Sequence, residues 1–318
     1  MSKWLRRGGL VAITLLVAVA LAYPAVDLFK KQLNDESRAE LKQTGEAHSF
    51  IELDDGVTHY RLEGAPTKGT IVLLHGVLNS SQIYEAYFAP LTGAGYRVLS
   101  YDLYGRGYSD RPSVPYTAEL FDRQLLELLD KLGITGRIHL GGFTIGAPIG
   151  AIFSERHPDR VASLTLMAAA GLLEKHEVGR QAMPVIGDWI YHVLGPWQLE
   201  SYVLHNARSL PDPMSHLRDY RKWSIYSGHE DAVLSTLRNF PYYATREHYA
   251  AVAKLGLPVF AIWGAADDTY PVSQLDILKQ LVPQAIVNIV AGAGHALVYA
   301  EPDVVSKILV SDLANVPG

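Results

Sequence analysis

The stretch Arg137-Ile-His-Leu-Gly-Gly142-Phe-Thr144-Ile-Gly146-Ala-Pro-Ile-Gly150 passes from a short apolar run into a helical one, with glycines on either side of a single hydroxyl. Arg137–Leu140 reads as a strand and Ile145–His157 as a helix. A strand running straight into a helix turns so sharply that only glycine tolerates the close backbone approach beside the turning residue. Gly142 and Gly146 meet that demand. Thr144 is therefore expected at the edge of a sheet with its hydroxyl free. The N–H groups that open the helix point at the same place, where they favour a developing anion.

The same alternation continues outward from this turn. Apolar, β-branched runs at Phe50–Leu53, Val57–Leu62, Thr70–Leu74, Tyr96–Tyr101, Ala162–Met167, Val259–Trp263 and Ala285–Val290 read as further strands. Asp54-Asp55-Gly56 supplies a hairpin turn between the first two. Helical patterns lie between at Ser81–Thr92, Thr117–Leu132, Ser273–Leu281 and Pro302–Leu313. Such alternation predicts a mostly parallel sheet wrapped by helices. Between Leu172 and Leu257 the rhythm stops, and helical fragments rich in aromatic residues (Trp189, Tyr191, Trp197, Tyr202, Tyr220, Trp223, Tyr226, Tyr242 and Tyr243) replace it. This segment reads as a helical insertion over the carboxyl edge of the sheet, with some of its rings lining an apolar pocket and the rest packing its own helices.

Chemistry-bearing residues collect where the strands end. His75-Gly76 closes the third strand and Asp102-Leu-Tyr-Gly105-Arg-Gly107 follows the fourth. Gly142-Phe-Thr144-Ile-Gly146 follows the fifth, Gly264-Ala-Ala-Asp267-Asp-Thr-Tyr-Pro271 the strand after the insertion, and Gly294-His295 the last. Taken together, in this order and each after a strand, the motifs resemble the α/β-hydrolase family over residues 48 to 314. The chain order of nucleophile, acid and histidine is also that of the family. The resemblance implies an α/β fold with a mostly parallel eight-stranded sheet, flanking helices and a helical lid insertion. It places the elbow nucleophile at Thr144, the base at His295 and its orienting carboxylate at Asp267. The oxyanion-hole donors would be the N–H groups of Val77 and Ile145, with His75, Gly76, Asp102, Gly142 and Gly146 supporting the site. The spacing from Asp267 to Pro271 favours Asp267 over its neighbour Asp268. Asp102 and Arg106 read as a scaffold network, and His75 as a residue that orients the oxyanion loop.

Where the family carries serine, aspartate or cysteine at the elbow, this chain carries Thr144. A β-branched residue at positive φ is strained, at a cost on the order of 1–3 kcal/mol, and its methyl crowds the space an attacked carbonyl enters. The hydroxyl nevertheless survives. Three readings stand: a working threonine nucleophile, a protein that binds ligands without turning them over, or water activated directly by His295. The absence of an elbow aspartate argues against the branches that attack through a carboxylate. The leading expectation is a carboxylic ester hydrolase acting through an acyl intermediate on a small hydrophobic ester. A non-catalytic ligand-binding protein and a lyase or acyltransferase on the same scaffold are the alternatives.

Composition narrows the classes further. Hydrophobic residues make up 48% and charged residues 19% of the chain, a globular balance that excludes long disorder and coiled coil. A formal charge of −5 offers no electrostatic footprint for nucleic acid. The absence of cysteine excludes disulfides, thiolate metal sites and a cysteine nucleophile. His229-Glu230-Asp231 and Glu247-His248 lack the spacing of metal ligands. Gly292-Ala-Gly294 imitates a dinucleotide fingerprint, but Leu297 stands at the third glycine position. No metal and no cofactor are expected.

At the amino terminus Lys3, Arg6 and Arg7 precede the apolar run Leu10–Ala22, and Ala20-Leu-Ala22 offers small residues for cleavage. The uncharged stretch from Gly8 to Val26 spans roughly 28 Å as a helix, against about 30 Å of hydrocarbon core. Residues 1–29 read as a signal peptide or a membrane anchor, and either places the rest outside the cytoplasm, periplasmic, secreted or held at the membrane. Residues 30–47 read as a polar helical spacer, 48–171 with 258–318 as the core, and 172–257 as the cap.

Overall fold

The computed structural model describes residues 14, 17–44, 47–173, 183–241 and 244–316. Its centre is one eight-stranded sheet in the order β1-β2-β4-β3-β5-β6-β7-β8. The strands are β1 Ser49–Leu53, β2 Gly56–Glu63, β3 Thr70–Leu74, β4 Arg97–Tyr101, β5 Ile138–Phe143, β6 Val161–Met167, β7 Val259–Gly264 and β8 Ile286–Val290. Two antiparallel pairings, β1 with β2 and β2 with β4, form one edge, and every other pairing is parallel. This is the α/β-hydrolase fold expected from the sequence.

Side chains alternate across the sheet, so its central strands feed two separate cores. Val72, Leu74, Leu140, Leu164, Ala261 and Trp263 join one cluster, covered by α3 Ala118–Lys131, α4 Gly146–Arg156, α8 Arg246–Lys254 and α9 Gln274–Leu281. Ile71, Leu73, Val98, Phe260 and Ile262 face the other way, beneath a 3₁₀ helix at Ser81–Tyr87, α2 Phe88–Gly93 and α11 Pro302–Leu313. The single helix expected over 81–92 is thus two pieces. Pro90 lacks an N–H, and its ring clashes with the carbonyl four residues back in a continuous helix.

Among the described residues the stretch read as an insertion contains α5 Ile186–Asn206, α6 Pro213–Ser224, α7 His229–Asn239 and α8, and no strand. Helices α5 to α7 share a small core of their own, including Leu199, Val203, Leu217, Tyr220, Trp223 and Val233. Helix α8 behaves differently. Tyr249 and Val252 bury in the main core, and the helix packs beside α4.

Of the segment expected to be a signal or anchor, 1–29, residues 14 and 17–29 are described and the others lie outside the described residues. Residues 17–27 are helical, and no described helix is long and apolar enough to cross a membrane. The spacer contains α1 Asp35–Lys42, capped by Asn34 and Ser37. It is tied down at its start by a buried Lys30–Glu230 ion pair of 2.6 Å and at mid-helix by Arg38 on Asp110.

Candidate active site

Parallel strands bring their carboxyl ends to one edge, and the loops after β3, β4, β5, β7 and β8 meet there. The turn from β5 into α4 is as tight as its glycines require. A Cβ on Gly142 would lie 2.3 Å from the Gly146 carbonyl oxygen, and one on Gly146 would lie 2.3 Å from the Leu74 carbonyl oxygen. Thr144 sits between them at φ 49°. Its backbone is held on both sides: the N–H donates to Met167 O at 3.1 Å, and the carbonyl accepts from Ala147 and Ala170. Such surroundings are what allow a strained residue to persist.

The loop after β7 presents Asp267. Its Oδ1 accepts the N–H groups of Thr269 and Tyr270 at 2.9 and 2.8 Å, which leaves Oδ2 to face His295 Nδ1 at 3.0 Å. With Nδ1 donating to a carboxylate, Nε2 of the neutral ring keeps its lone pair. The rings of Phe143 and Tyr270 flank the imidazole, with centroids 5.3 and 5.2 Å away, and fix its plane. Asp268 turns outward to Arg208 instead.

The loop after β3 is pinned by buried side chains. His75 Nδ1 donates to Gly76 O at 2.7 Å while its Nε2 accepts the Leu103 N–H at 3.0 Å. Burial pushes this imidazole down to about 4, so it stays neutral and cannot exchange protons near pH 7. Arg106, itself buried, donates from Nε to Val77 O at 3.2 Å. The Val77 N–H makes no hydrogen bond among the described residues.

The Ile145 N–H, by contrast, donates to Thr144 Oγ1. The Thr144 methyl leans the other way, onto Gly76, where a Cβ would approach it to 2.8 Å. No hydrogen bond joins Thr144 to His295.

Asp102 lies beneath this edge. Oδ1 accepts the Ser81 N–H at 2.7 Å; Oδ2 accepts the Tyr108 N–H at 2.8 Å and faces His59 Nδ1 at 2.7 Å. Burial alone would raise its carboxyl, but His59 and the backbone donors outweigh it and hold the group well below the usual range. It ties loops together, in keeping with a scaffold. His59 carries no local motif, and only the β2–β4 register brings it beside Asp102.

A cavity of about 400 Å³ opens above the turn, lined by Val77, Phe143, Thr144 and His295 from the core and by Tyr191, Leu199, Tyr202, Val203 and Leu237 from the cap. Asp267 stands behind His295. Of the cap aromatics named above, Tyr191 and Tyr202 line this cavity, Trp223 and Tyr220 pack inside the cap, and Trp197 is exposed. Tyr242 and Tyr243 lie outside the described residues.

The family model of the alpha/beta hydrolase fold matches residues 69–302. The chain belongs to the α/β-hydrolases. This α/β-hydrolase is 24% identical to Lipase 1 of Psychrobacter immobilis over 234 residues, 71% of this chain and 70% of the lipase. It is 26% identical to a 2-hydroxy-6-oxononadienedioate/2-hydroxy-6-oxononatrienedioate hydrolase of Cupriavidus pinatubonensis, over 84% of this chain and 95% of that one. Among solved structures, the enol-lactonase of Burkholderia xenovorans LB400 superposes with a TM-score of 0.72 at 24% identity, covering 84% of this chain and all of that one.

Proposed function

We propose that this α/β-hydrolase cleaves carboxylic esters of hydrophobic acids through an acyl intermediate on Thr144. The observation that carries the reading is the Asp267–His295 pair at 3.0 Å, with His295 opening onto the same cavity as the Thr144 hydroxyl. His295 Nε2 takes the proton as Thr144 Oγ1 attacks the ester carbonyl. It returns that proton to the departing alkoxide as the carbon–oxygen bond breaks. A water then attacks the acyl-threonine by the same proton route and frees the acid. Asp267 holds the imidazole in the productive tautomer and stabilises its charged form. The N–H groups of Val77 and Ile145 receive the oxyanion, each contributing about 3 kcal/mol. Leu199, Val203 and Leu237 supply an apolar wall for the acyl chain, and the likeness to Lipase 1 points the same way.

The basic and apolar start of the chain supports action outside the cytoplasm or at a membrane. Residues 17–27 lean on the cap, with Trp189 Nε1 donating to Val19 O at 2.8 Å and Tyr23 stacked on His192 at 3.9 Å.

A second reading, ligand binding with little turnover, is favoured by one feature. The Thr144 hydroxyl occupies the very N–H an oxyanion needs, with its methyl beside the oxyanion loop. Hydrolysis of p-nitrophenyl butyrate by the native chain and by Thr144→Ser separates the two. Ester hydrolysis through Thr144 predicts turnover by the native chain, faster in the serine form and lowered about 10³-fold in both by His295→Ala. Silence of the native chain, or turnover indifferent to His295, overturns it.

A further inference from the structure

The turn out of β3, Gly76-Val-Leu-Asn79, closes with the Asn79 N–H donating to Gly76 O at 3.2 Å. Buried side chains hold it in place, His75 Nδ1 on that same carbonyl at 2.7 Å and Arg106 Nε on Val77 O at 3.2 Å. The Gly76 and Val77 carbonyls are therefore committed to the scaffold. What the turn has left for the catalytic cavity is the Val77 N–H and the side chain of Asn79, both on residues that line it.

Asn79 stands close to the elbow. A Cβ added to Gly76 would lie 2.5 Å from Asn79 Oδ1 and 2.8 Å from the Thr144 methyl, so the amide and the methyl border the same small gap. The Asn79 side chain is half-buried and makes no hydrogen bond to another described residue. Its terminal torsion is broad and nearly two-fold. A half-turn about Cβ–Cγ thus exchanges Oδ1 and Nδ2 without breaking a bond to the protein, and sets an N–H donor at the gap.

The elbow has a use for that donor. The Ile145 N–H is engaged by Thr144 Oγ1, so while this bond lasts the backbone offers an oxyanion only the Val77 N–H. We propose that Asn79 is a further catalytic residue. Its Nδ2 donates to the oxyanion beside the Val77 N–H and supplies what the Ile145 N–H withholds. This rests on the ester-hydrolase reading above. Asn79 gives up no proton, and the proton of the reaction still passes through His295. A serine at 144 can turn its hydroxyl away and release the Ile145 N–H, so the contribution of Asn79 is largest beside the native threonine.

The test is steady-state hydrolysis of p-nitrophenyl butyrate and of its thionoester, in which sulfur replaces the carbonyl oxygen. Asn79→Leu, of similar shape without a donor, is expected to lower kcat about 100-fold and leave KM unchanged, as loss of a transition-state donor does. In the Thr144→Ser background the same change is expected to cost about 10-fold. Sulfur accepts hydrogen bonds poorly, so the native chain should favour the oxygen ester, and Asn79→Leu should narrow that preference about tenfold. Damage to the fold would slow both esters alike. Asn79→Asp, isosteric and polar, sets a carboxylate against the oxyanion and is expected to lose at least as much as leucine, which keeps the test open should leucine disturb the loop. Full kcat in either variant, a rise in KM alone, a loss of equal size beside threonine and serine, or an unchanged preference for oxygen over sulfur overturns the assignment while His295-dependent turnover leaves the ester-hydrolase reading in place. A silent native chain ends both.

Discussion

Replacing Thr144 by serine removes one methyl from the most constrained position of the chain. In the structure the three staggered places around the Thr144 Cα–Cβ bond hold the hydroxyl beside Ile145 N–H, the methyl against Gly76, and a hydrogen. If the hydroxyl rotates into the third place, the methyl is carried beside the Ile145 N–H, onto the donor needed for the oxyanion. If it rotates the other way, the oxygen is pressed onto Gly76. Either move gives up the hydrogen bond, worth about 0.5–1.5 kcal/mol, and crowds the methyl at a cost of about 0.5–1.5 kcal/mol. Serine avoids the second cost and can return its hydroxyl freely between positions. That second cost, about 0.5–1.5 kcal/mol, corresponds to a rise of about 2- to 13-fold in kcat/KM. Stability changes little, because about 0.8 kcal/mol of lost methyl burial offsets relieved strain at positive φ. The assay is initial-rate hydrolysis of p-nitrophenyl butyrate with a melting curve for each form. A serine variant of unchanged fold that is no faster than the native chain refutes the rotamer reasoning.

Other expected outcomes follow from single contacts. Gly146→Ala drives a Cβ to 2.3 Å from the Leu74 carbonyl oxygen, where only backbone movement makes room, so urea unfolding should show a loss of about 3 kcal/mol. Asp102→Asn sets an amide donor against the Ser81 or the Tyr108 N–H and should cost about 3 kcal/mol in the same assay. Asp312 carries a carboxyl that burial raises to about 6 from 3.8, with the Asn288 hydrogen bond pulling partly back. A raised acid favours the folded state at low pH and loses that contribution as pH climbs from about 4 to about 6. Asp312→Asn should therefore stabilise the protein by about 1 kcal/mol at pH 7.5, after allowance for solvent screening, and have little effect at pH 4, as thermal melts at the two pH values would show.

The sheet was legible because its strands are covered on both faces and read as unbroken apolar runs. β3 and β7 are buried at every residue, and their predicted bounds fall within a residue of the observed ones. The glycine-flanked turn at Thr144 was legible for a related reason, since its spacing answers a backbone demand. Two kinds of feature escaped. The break between Ser81–Tyr87 and Phe88–Gly93 depends on Pro90 inside a run whose apolar spacing suits a helix throughout. His59 on Asp102, Arg106 on Val77 O and His216 on Tyr299 depend on pairings between distant segments that no local pattern marks. The packing of Arg246–Lys254 is of the same kind: Tyr249 and Val252 join the main core beside α4, a placement set by contacts between distant segments.

The most direct measurement is covalent. The native chain and its Thr144→Ser form are treated with a fluorophosphonate ester, digested, and mapped by mass spectrometry. A hydroxyl activated by His295 predicts one phosphonyl adduct on residue 144, faster in the serine form and lost in both when His295 becomes alanine. An adduct on another residue, none in either form, or labelling of residue 144 that persists without His295 would contradict it.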